Sequence, residues 1–445
     1  MIYRLIYHIY RIVSSTRRWI MRRFTPAGLA VLAGLLITAA LGTDTTRSVA
    51  HKAFAFLLAL TLVSMSWALW FRGRFAGERW LPQFGTVGTA MPYRVIIRNR
   101  TPRPQRGLIL IDNLADPRPG RSEFTAELKR DAARSRSFRV GKNRIKPSRP
   151  MARAKPQPIP SLPPNGTAEA WMEITPLRRG VVRLTGLSVG RSDPLGLFFS
   201  FVALPNPQSV LVLPKRYLLP PVALPGTMKY QQGGVAQASS VGESEEFVAL
   251  REYRPGDPPR RIHWKSWAKA GQPVVKEFQD EFFVRHALVL DTFLDAPESE
   301  LFEEAVSVAA SFACTIQTQE SLLDLMFVGP QAFCLTAGRG LAHMEQMLEI
   351  LASVRPCRDK GFEALRQLVL DHAGAVSGCI VILLAWDEPR RELVRQLKNL
   401  NVPMVVLVIA KGTGSASGVT AATAEQPERF HILEVGRIAE GLSRL

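Results

Sequence analysis

Two uncharged, mostly apolar runs near the start of the chain, residues 24–43 and 53–71, limit what it can fold into more than any other feature. At 1.5 Å of rise per residue, each is long enough to cross a hydrocarbon core of about 30 Å. Only residues 44–52 lie between them, so a membrane reading requires a tight helical hairpin. Arg4, Arg11, Arg17, Arg18, Arg22 and Arg23 precede the first run without an acid among them, and Arg72, Arg74 and Arg79 follow the second. The positive-inside rule puts both flanks in the cytoplasm, with Trp19, Trp67, Trp70 and Trp80 near headgroup level. The expectation is two spans and cytoplasmic termini. A cleaved signal peptide is the alternative, since an arginine-rich start precedes an apolar run ending in small residues. The second run favours the retained hairpin.

The remaining length supports two further domains in a chain of 445 residues. Most of the formal charge of +19 sits in two patches, the first 23 residues and the stretch from Lys129 to Lys155, where the only acid is Asp131. A uniformly basic fold is therefore excluded. Cys314, Cys334, Cys357 and Cys379 stand singly in apolar surroundings without C-x-x-C spacing, as reduced core residues do.

Residues 80–225 read as a small β-sandwich-like domain. Tyr93 to Ile97, Gly107 to Ile111, Ala168 to Ile174, Gly180 to Leu187 and Ser209 to Leu213 are short aliphatic or alternating runs bounded by turn residues. The span 117–166 interrupts them with basic residues and prolines, and most of it is expected to be a flexible, disordered insertion, with room for one short helix at Ala126 to Ala133. Near an inner leaflet so basic a loop is drawn to anionic lipid headgroups. RNA would call for interleaved aromatics, and only Phe124 and Phe138 are nearby, so no nucleic acid is expected. Ser192 to Phe199 reads as a strand-end turn with an apolar plug.

Residues 226–445 open on the most chemically specific stretch, Leu250 to Gly271. Leu250 to Tyr253 is expected to be extended and Pro255-Gly256 to turn. Asp257 is placed to cap a helix from Pro258 to Ala270, with Gly271 as its left-handed exit. On that helix Arg261, Lys265 and Lys269 fall at i, i+4 and i+8, a cationic stripe that calls for an anionic neighbour. Glu243, Glu245, Glu246, Glu252 and Glu277 are the internal candidates. Trp264, Trp267 and Ile262 are suited to docking the helix, and Arg260 to stacking on Trp264. The readings in play are a salt-bridge and aromatic clasp between domains, a surface for a partner or anion, and a catalytic site. His263 has no nucleophile at a matching spacing.

Beyond the motif, strands and helices alternate. Strands are expected at Gln272 to Phe278, Phe282 to Asp291, Leu322 to Val328, Cys379 to Ala385 and Met404 to Ile409. Helices are expected at Glu298 to Gln319, Leu341 to Val354, Gly361 to His372, Pro389 to Leu400 and Gly436 to Arg444. Apolar strands in such an alternation imply a largely parallel, Rossmann-like sheet covered on both faces. No G-x-G-x-x-G follows the first strand, which argues against nucleotide binding by that fingerprint. Asp291 and Asp387 end two strands and sit with Asp295 and Glu388 on one rim, where carboxylates can hold Mg²⁺ or serve as helix caps and turn formers.

Arg251-Glu252-Tyr253, Gly256-Asp257, Arg261-Ile262-His263-Trp264 and Ala268 to Glu277 resemble the signature of the bacterial family called domain of unknown function 58, with Lys269 where that family often has arginine. Asp193-Pro194-Leu195-Gly196-Leu197 and the hairpin also resemble it. The resemblance implies a bacterial inner-membrane protein, a C-terminal domain similar to von Willebrand factor type A domains, and association with MoxR-type AAA+ ATPases. The metal site of type A domains has the pattern D-x-S-x-S. Here Asp291-Thr292-Phe293-Leu294-Asp295 lacks both serines, and no cofactor is expected. The fold class is then an α+β multidomain membrane protein with a transmembrane hairpin within residues 1–79. The expected function is a non-enzymatic scaffold with a protein partner. A metal-dependent hydrolase using Asp291, Asp295 and Asp387, or an anionic-lipid sensor, is the alternative.

Overall fold

The computed structural model describes every residue except 1, 42–47, 72, 117, 123, 126–149, 221–246, 256, 258, 260–261, 279–283, 295–298, 316–320, 338–340, 412–426 and 428. The chain is a mixed α and β multidomain protein that divides into two compact units, Met1–Val212 and Leu213–Leu445.

The first unit opens with three helices, α1 (Ile2–Arg23), α2 (Pro26–Leu41) and α3 (Ser48–Leu69). Thr25 starts α2 by accepting the Gly28 amide on its hydroxyl at 3.0 Å, with Pro26 in the first turn where its missing N–H costs nothing. Helices α2 and α3 pack on each other. Thr38 and Thr61 turn their hydroxyls back onto the Gly34 and Leu57 carbonyls, each at 2.8 Å, so both bond within their own helix. Within α3, Val49–Ala68 is 20 residues long with a mean hydropathy of 1.6, long and apolar enough to cross a membrane. Helix α2 is apolar but shorter, at 16 residues.

A two-sheet sandwich follows directly. One sheet has the order β1 (Phe75–Trp80), β3 (Met91–Asn99), β7 (Thr167–Pro176), β5 (Ala152–Ala154), antiparallel throughout. The other has the order β2 (Phe84–Thr86), β9 (Phe199–Leu213), β8 (Gly180–Ser192), β4 (Leu108–Leu114), β6 (Gln157–Ile159). Alternation decides the faces. In β3, Met91, Tyr93, Val95 and Ile97 point into the core while Pro92, Arg94 and Arg98 face out. They meet Leu108, Leu110, Leu184, Leu187 and Val189 of the opposite sheet.

Arg79, expected from the sequence among the charges that flank the second apolar run, is enclosed by the fold. It lies on β1, inside the sandwich, donating to Asp112 at 2.7 Å, while the Tyr93 hydroxyl donates to the other Asp112 oxygen at 2.6 Å. Burial drives the Asp112 carboxyl upward, opposed by Arg79 and by the Tyr93 hydrogen bond. The span 117–166, most of which is expected to be a flexible insertion, contains ordered pieces. Strands β5 and β6 lie in it, Gln105 and Leu162 exchange backbone hydrogen bonds at 2.9 Å, and Phe124 is buried. Prolines at 156, 158 and 160 are tolerated because β5 and β6 are three-residue edge strands with few ladder bonds to lose. The short helix expected at Ala126 to Ala133 lies outside the described residues.

The second unit begins with the hairpin β10 (Phe247–Glu252) and β11 (Val274–Phe278), whose connection carries α4 (Trp264–Ala270). A six-stranded sheet follows, built from β12 (Val284–Leu290), β13 (Ser321–Val328), β14 (Ala332–Ala337), β15 (Gly378–Leu383), β16 (Met404–Ala410) and β17 (Phe430–Glu434). Its order is β14-β13-β12-β15-β16-β17, parallel except for the antiparallel edge strand β14. Every residue of β15 and β16 is buried, as two covered faces require. The helices are α5 (Glu300–Thr315), α6 (Leu341–Ser353), α7 (Glu363–His372), α8 (Glu388–Asn399) and α9 (Ile438–Leu442). Leu365 and Val369 of α7 and Leu393, Val394 and Leu397 of α8 share one core with Val289, Val381 and Val406. Edge strands β14 and β17 were not expected from the sequence.

Candidate functional site

The specific stretch folds as a framed excursion between β10 and β11. Glu252 pairs with Val274 across the hairpin, the Tyr253 amide donates to the Pro273 carbonyl at 2.9 Å, and the His263 amide donates to the Val274 carbonyl at 2.8 Å. The loop is pinned at both ends before its side chains add anything. Arg251 then grips Asp257 with two parallel bonds, Nη1 to Oδ2 and Nη2 to Oδ1, both 2.7 Å, and the Arg254 amide donates to Asp257 Oδ2 at 2.8 Å. Hydrogen bonds from Arg251, and next from the Arg254 amide, hold the Asp257 carboxyl at about 2.

Asp257 is thereby not the helix cap expected of it. Helix α4 starts at Trp264, six residues later than the expected Pro258, directly after Ile262 bridges to Val275 of β11, while the Asp257 carboxylate is taken up by Arg251. His263 stands at the N-cap with no side-chain cap bond, its Nδ1 lying 2.6 Å from the Ser266 hydroxyl. The exit is as expected. Gly271 adopts φ +70°, and its amide closes on the Trp267 carbonyl at 3.0 Å.

The face shown by this frame is aromatic and cationic. Trp264 and Trp267 stack with ring centroids 5.1 Å apart and an interplanar angle of 18°, and Trp264 remains 65% exposed. Helix α4 has no buried residue. Lys265, Lys269 and Lys276 are exposed, and neither Lys265 nor Lys269 forms an ion pair among the described residues. Of the internal acids proposed for the stripe, Glu252 is the one whose side chain is described, and it accepts from Gln272 at 2.7 Å. Tyr253 and Leu250 add partly exposed apolar area. Gly256, Arg260, Arg261 and the glutamates 243, 245 and 246 lie outside the described residues, as does the side chain of Glu277.

The carboxylates at the strand ends form a different arrangement. Asp291 follows β12, and Asp387 caps α8 by accepting the Arg390 amide at 3.3 Å, with Pro389 in the first turn. They do converge, and Arg390 lies between them. Its Nε donates to Asp291 Oδ2 at 2.6 Å, its Nη1 to Asp387 Oδ2, and its Nη2 to the Phe293 carbonyl at 3.1 Å. The guanidinium also lies 4.9 Å from the centre of the Phe362 ring. Asp291, fully buried, further accepts the Phe293 and Leu384 amides at 2.9 and 3.0 Å. Burial opposes the Arg390 charge, but Asp291 and Asp387 outweigh it and raise its pKa. Burial drives Asp291 up, against Arg390 and the two amides. The two carboxylates therefore already share a fixed cation and have little capacity for another. Asp295 lies outside the described residues. Sequence reading missed Arg390, although its spacing three residues after Asp387 at a helix start was the available signal.

A protein with this arrangement belongs to a broad class: a pair of packed apolar helices, a β-sandwich, and an α/β unit that carries both a framed hairpin and a closed strand-end rim. More particular likenesses come from known proteins. The family model described as protein of unknown function DUF58 matches residues 249–377, which include the framed hairpin and the sheet up to the start of β15. Over 126 residues the chain is 30% identical to the uncharacterized protein YeaD of Bacillus subtilis, a match spanning 28% of this chain and 31% of that protein. Among solved structures, the CARDB domain of a Pyrococcus furiosus protein is covered over 94% of its length at 10% identity, with 32% of this chain and a TM-score of 0.16. A cohesin module of a Clostridium perfringens glycoside hydrolase is covered over 98% at 11% identity, again with 32% of this chain and a TM-score of 0.14.

Proposed function

We propose that the protein is a non-enzymatic scaffold of the bacterial inner membrane. It crosses the bilayer twice, through α2 and α3, with both termini cytoplasmic, and offers the framed hairpin as a docking surface for a protein partner. The observation that carries this reading is the contrast between the frame of Arg251 and Asp257 and what it displays, an exposed Trp264 beside Lys265 and Lys269, which form no ion pair among the described residues. Stacked tryptophan beside lysine is the composition of a binding hot spot, in which a desolvated aromatic anchor is ringed by charge. The sheet order with its antiparallel edge supports reading the second unit as Rossmann-like and similar to type A domains. Within that reading, Arg390 in place of a vacant carboxylate site favours adhesion without a metal over hydrolysis.

The family resemblance makes a MoxR-type AAA+ ATPase the partner to test first. The full chain in nanodiscs is expected to bind the MoxR-type ATPase of the same cell. The double substitution Trp264→Ala with Lys265→Glu should weaken binding by roughly tenfold or more, as the loss of an interface anchor does. Undetectable binding by the unaltered chain, or equal binding by the double variant, would overturn the proposal.

A further inference from the structure

We propose that α1 is an interfacial helix. It lies along the membrane surface with Leu5, Ile9, Ile12 and Val13 immersed at the boundary between headgroups and acyl chains, while its opposite face is fixed to the β-sandwich. The inference rests on reading α2 and α3 as membrane spans.

The four side chains fall at i, i+4, i+7 and i+8, which places them on one helical face. They are 63%, 52%, 65% and 61% exposed. The other face is the one that touches protein. Tyr7 and Tyr10 pack on Phe124 with ring centroids 5.3 and 5.2 Å apart. Ser14 and Ser15 accept hydrogen bonds from Arg118 at 3.0 and 2.7 Å, and Arg18 pairs with Asp116 at 2.9 Å. Arg22 donates to Asn113 at 2.7 Å and Ser188 at 2.6 Å and lies over the Phe201 ring. These contacts run the length of the helix, so α1 lies along the sandwich and does not project from it. A surface helix of a water-soluble protein turns its apolar stripe inward. Here the polar and aromatic stripe faces inward and the apolar one outward.

Chain continuity identifies the apolar medium. Only Phe24 and Thr25 separate α1 from α2. The Thr25 amide donates to the Leu197 carbonyl at 3.1 Å, and its hydroxyl donates to the Gly196 carbonyl at 2.6 Å. Asp193 holds that turn by accepting the Leu197 and Phe198 amides, both at 2.7 Å. After α3, Phe71 packs on the sandwich core. The start of α2 and the end of α3 are thus both attached to the sandwich, which brings it, and α1 with it, to the surface that the spans leave. A helix with six arginines and no acid is excluded from the hydrocarbon centre but suits an anionic interface, with Arg4 and Arg17 exposed to headgroups.

The test uses the full chain in nanodiscs of phosphatidylcholine and phosphatidylglycerol. Two photoactivatable phospholipids are compared, one with its diazirine near the top of the acyl chain and one near the methyl end, and adducts are located by mass spectrometry. The shallow probe is expected to label Leu5 to Val13 and the ends of α3, and the deep probe the middle of α3 but not α1. Ile9→Glu with Ile12→Glu should lower shallow labelling of α1 several-fold and leave α3 labelling unchanged. Labelled α3 with an unlabelled α1 would overturn the interfacial helix while the spans stand, the apolar face then being covered by protein, such as a second copy. Deep labelling of α1 would also overturn it. Absence of label on α3 would overturn the spanning reading and this inference together.

Discussion

Helix α4 and the rim above β12 both concentrate charge and aromatic rings, and they use them in opposite ways. At the rim, Arg390 is buried between Asp291 and Asp387 with Phe362 against its face, so the charges satisfy one another. On α4, Lys265 and Lys269 point to solvent beside a stacked tryptophan pair, and the frame satisfies only itself. The comparison separates charge that specifies a fold from charge left for a partner. What distinguishes them is whether every donor has an acceptor within the same unit.

The largest expected effect is at the rim. Arg390→Ala leaves the buried Asp291 without its counter-charge and should destabilise the second unit by about 3–5 kcal/mol. Denaturant unfolding of the full chain, followed by hydrogen exchange in β12 and β15, measures this. Arg390→Lys keeps the charge but cannot serve Asp291, Asp387 and the Phe293 carbonyl together, and should fall between the two. Lys265→Ala with Lys269→Ala should stay within about ±0.5 kcal/mol, since both side chains are exposed and neither is paired among the described residues. Equal losses at the two sites would collapse the distinction.

A smaller effect is expected at Gly271. A Cβ there meets no neighbour, but φ of +70° is strained for any L side chain. Gly271→Ala should cost about 1–2 kcal/mol, read as faster exchange of the Gly271-equivalent amide and the β11 amides while the rim keeps its protection. Gly28 marks a different constraint. A Cβ there would overlap the Leu197 carbonyl oxygen, so Gly28→Ala must displace the first turn of α2 from the turn at Leu197.

How much of this was legible in the sequence depends on the range of the interactions. The longer sandwich strands β3, β4, β7, β8 and β9, the parallel strands β12, β13, β15 and β16, and the Gly271 exit follow from local signals and form where the residues indicate, whereas the short or edge strands β1, β2, β5, β6, β14 and β17 carry no such signal. Asp257 misled because its nearest local role, capping a helix at Pro258, competes with a bidentate arginine six residues upstream, and the arginine wins. Arg79 was read only as a flanking charge, because it stands close to an apolar run. Only the fold brings Asp112 to it from another strand. Arg390 was invisible as the partner of Asp291, since 99 residues separate them. The outward apolar face of α1 was hidden behind its arginines. Reading the helix as two faces, and asking which one has protein partners, reveals it.

The smallest expected effect concerns protons and divides the two regions again. Asp257 has a folded pKa of about 2, below the value near 3.9 of an unfolded aspartate. Because the folded value is the lower one, the clamp contributes stability above about pH 4 and loses it as the pH falls toward 2. The Arg254 amide, bonded to Asp257, should therefore lose protection from exchange over that interval. The Leu384 amide, bonded to buried Asp291, is shielded by Arg390 and by its place in the core, and should outlast it. Asp257→Asn should abolish the pH dependence at Arg254 and lower its protection throughout, leaving Leu384 unaffected. Loss of both amides at one pH would mean that the framed hairpin and the rim open as a single cooperative element. The exposed site could then not be altered for a partner without disturbing the fold beneath it.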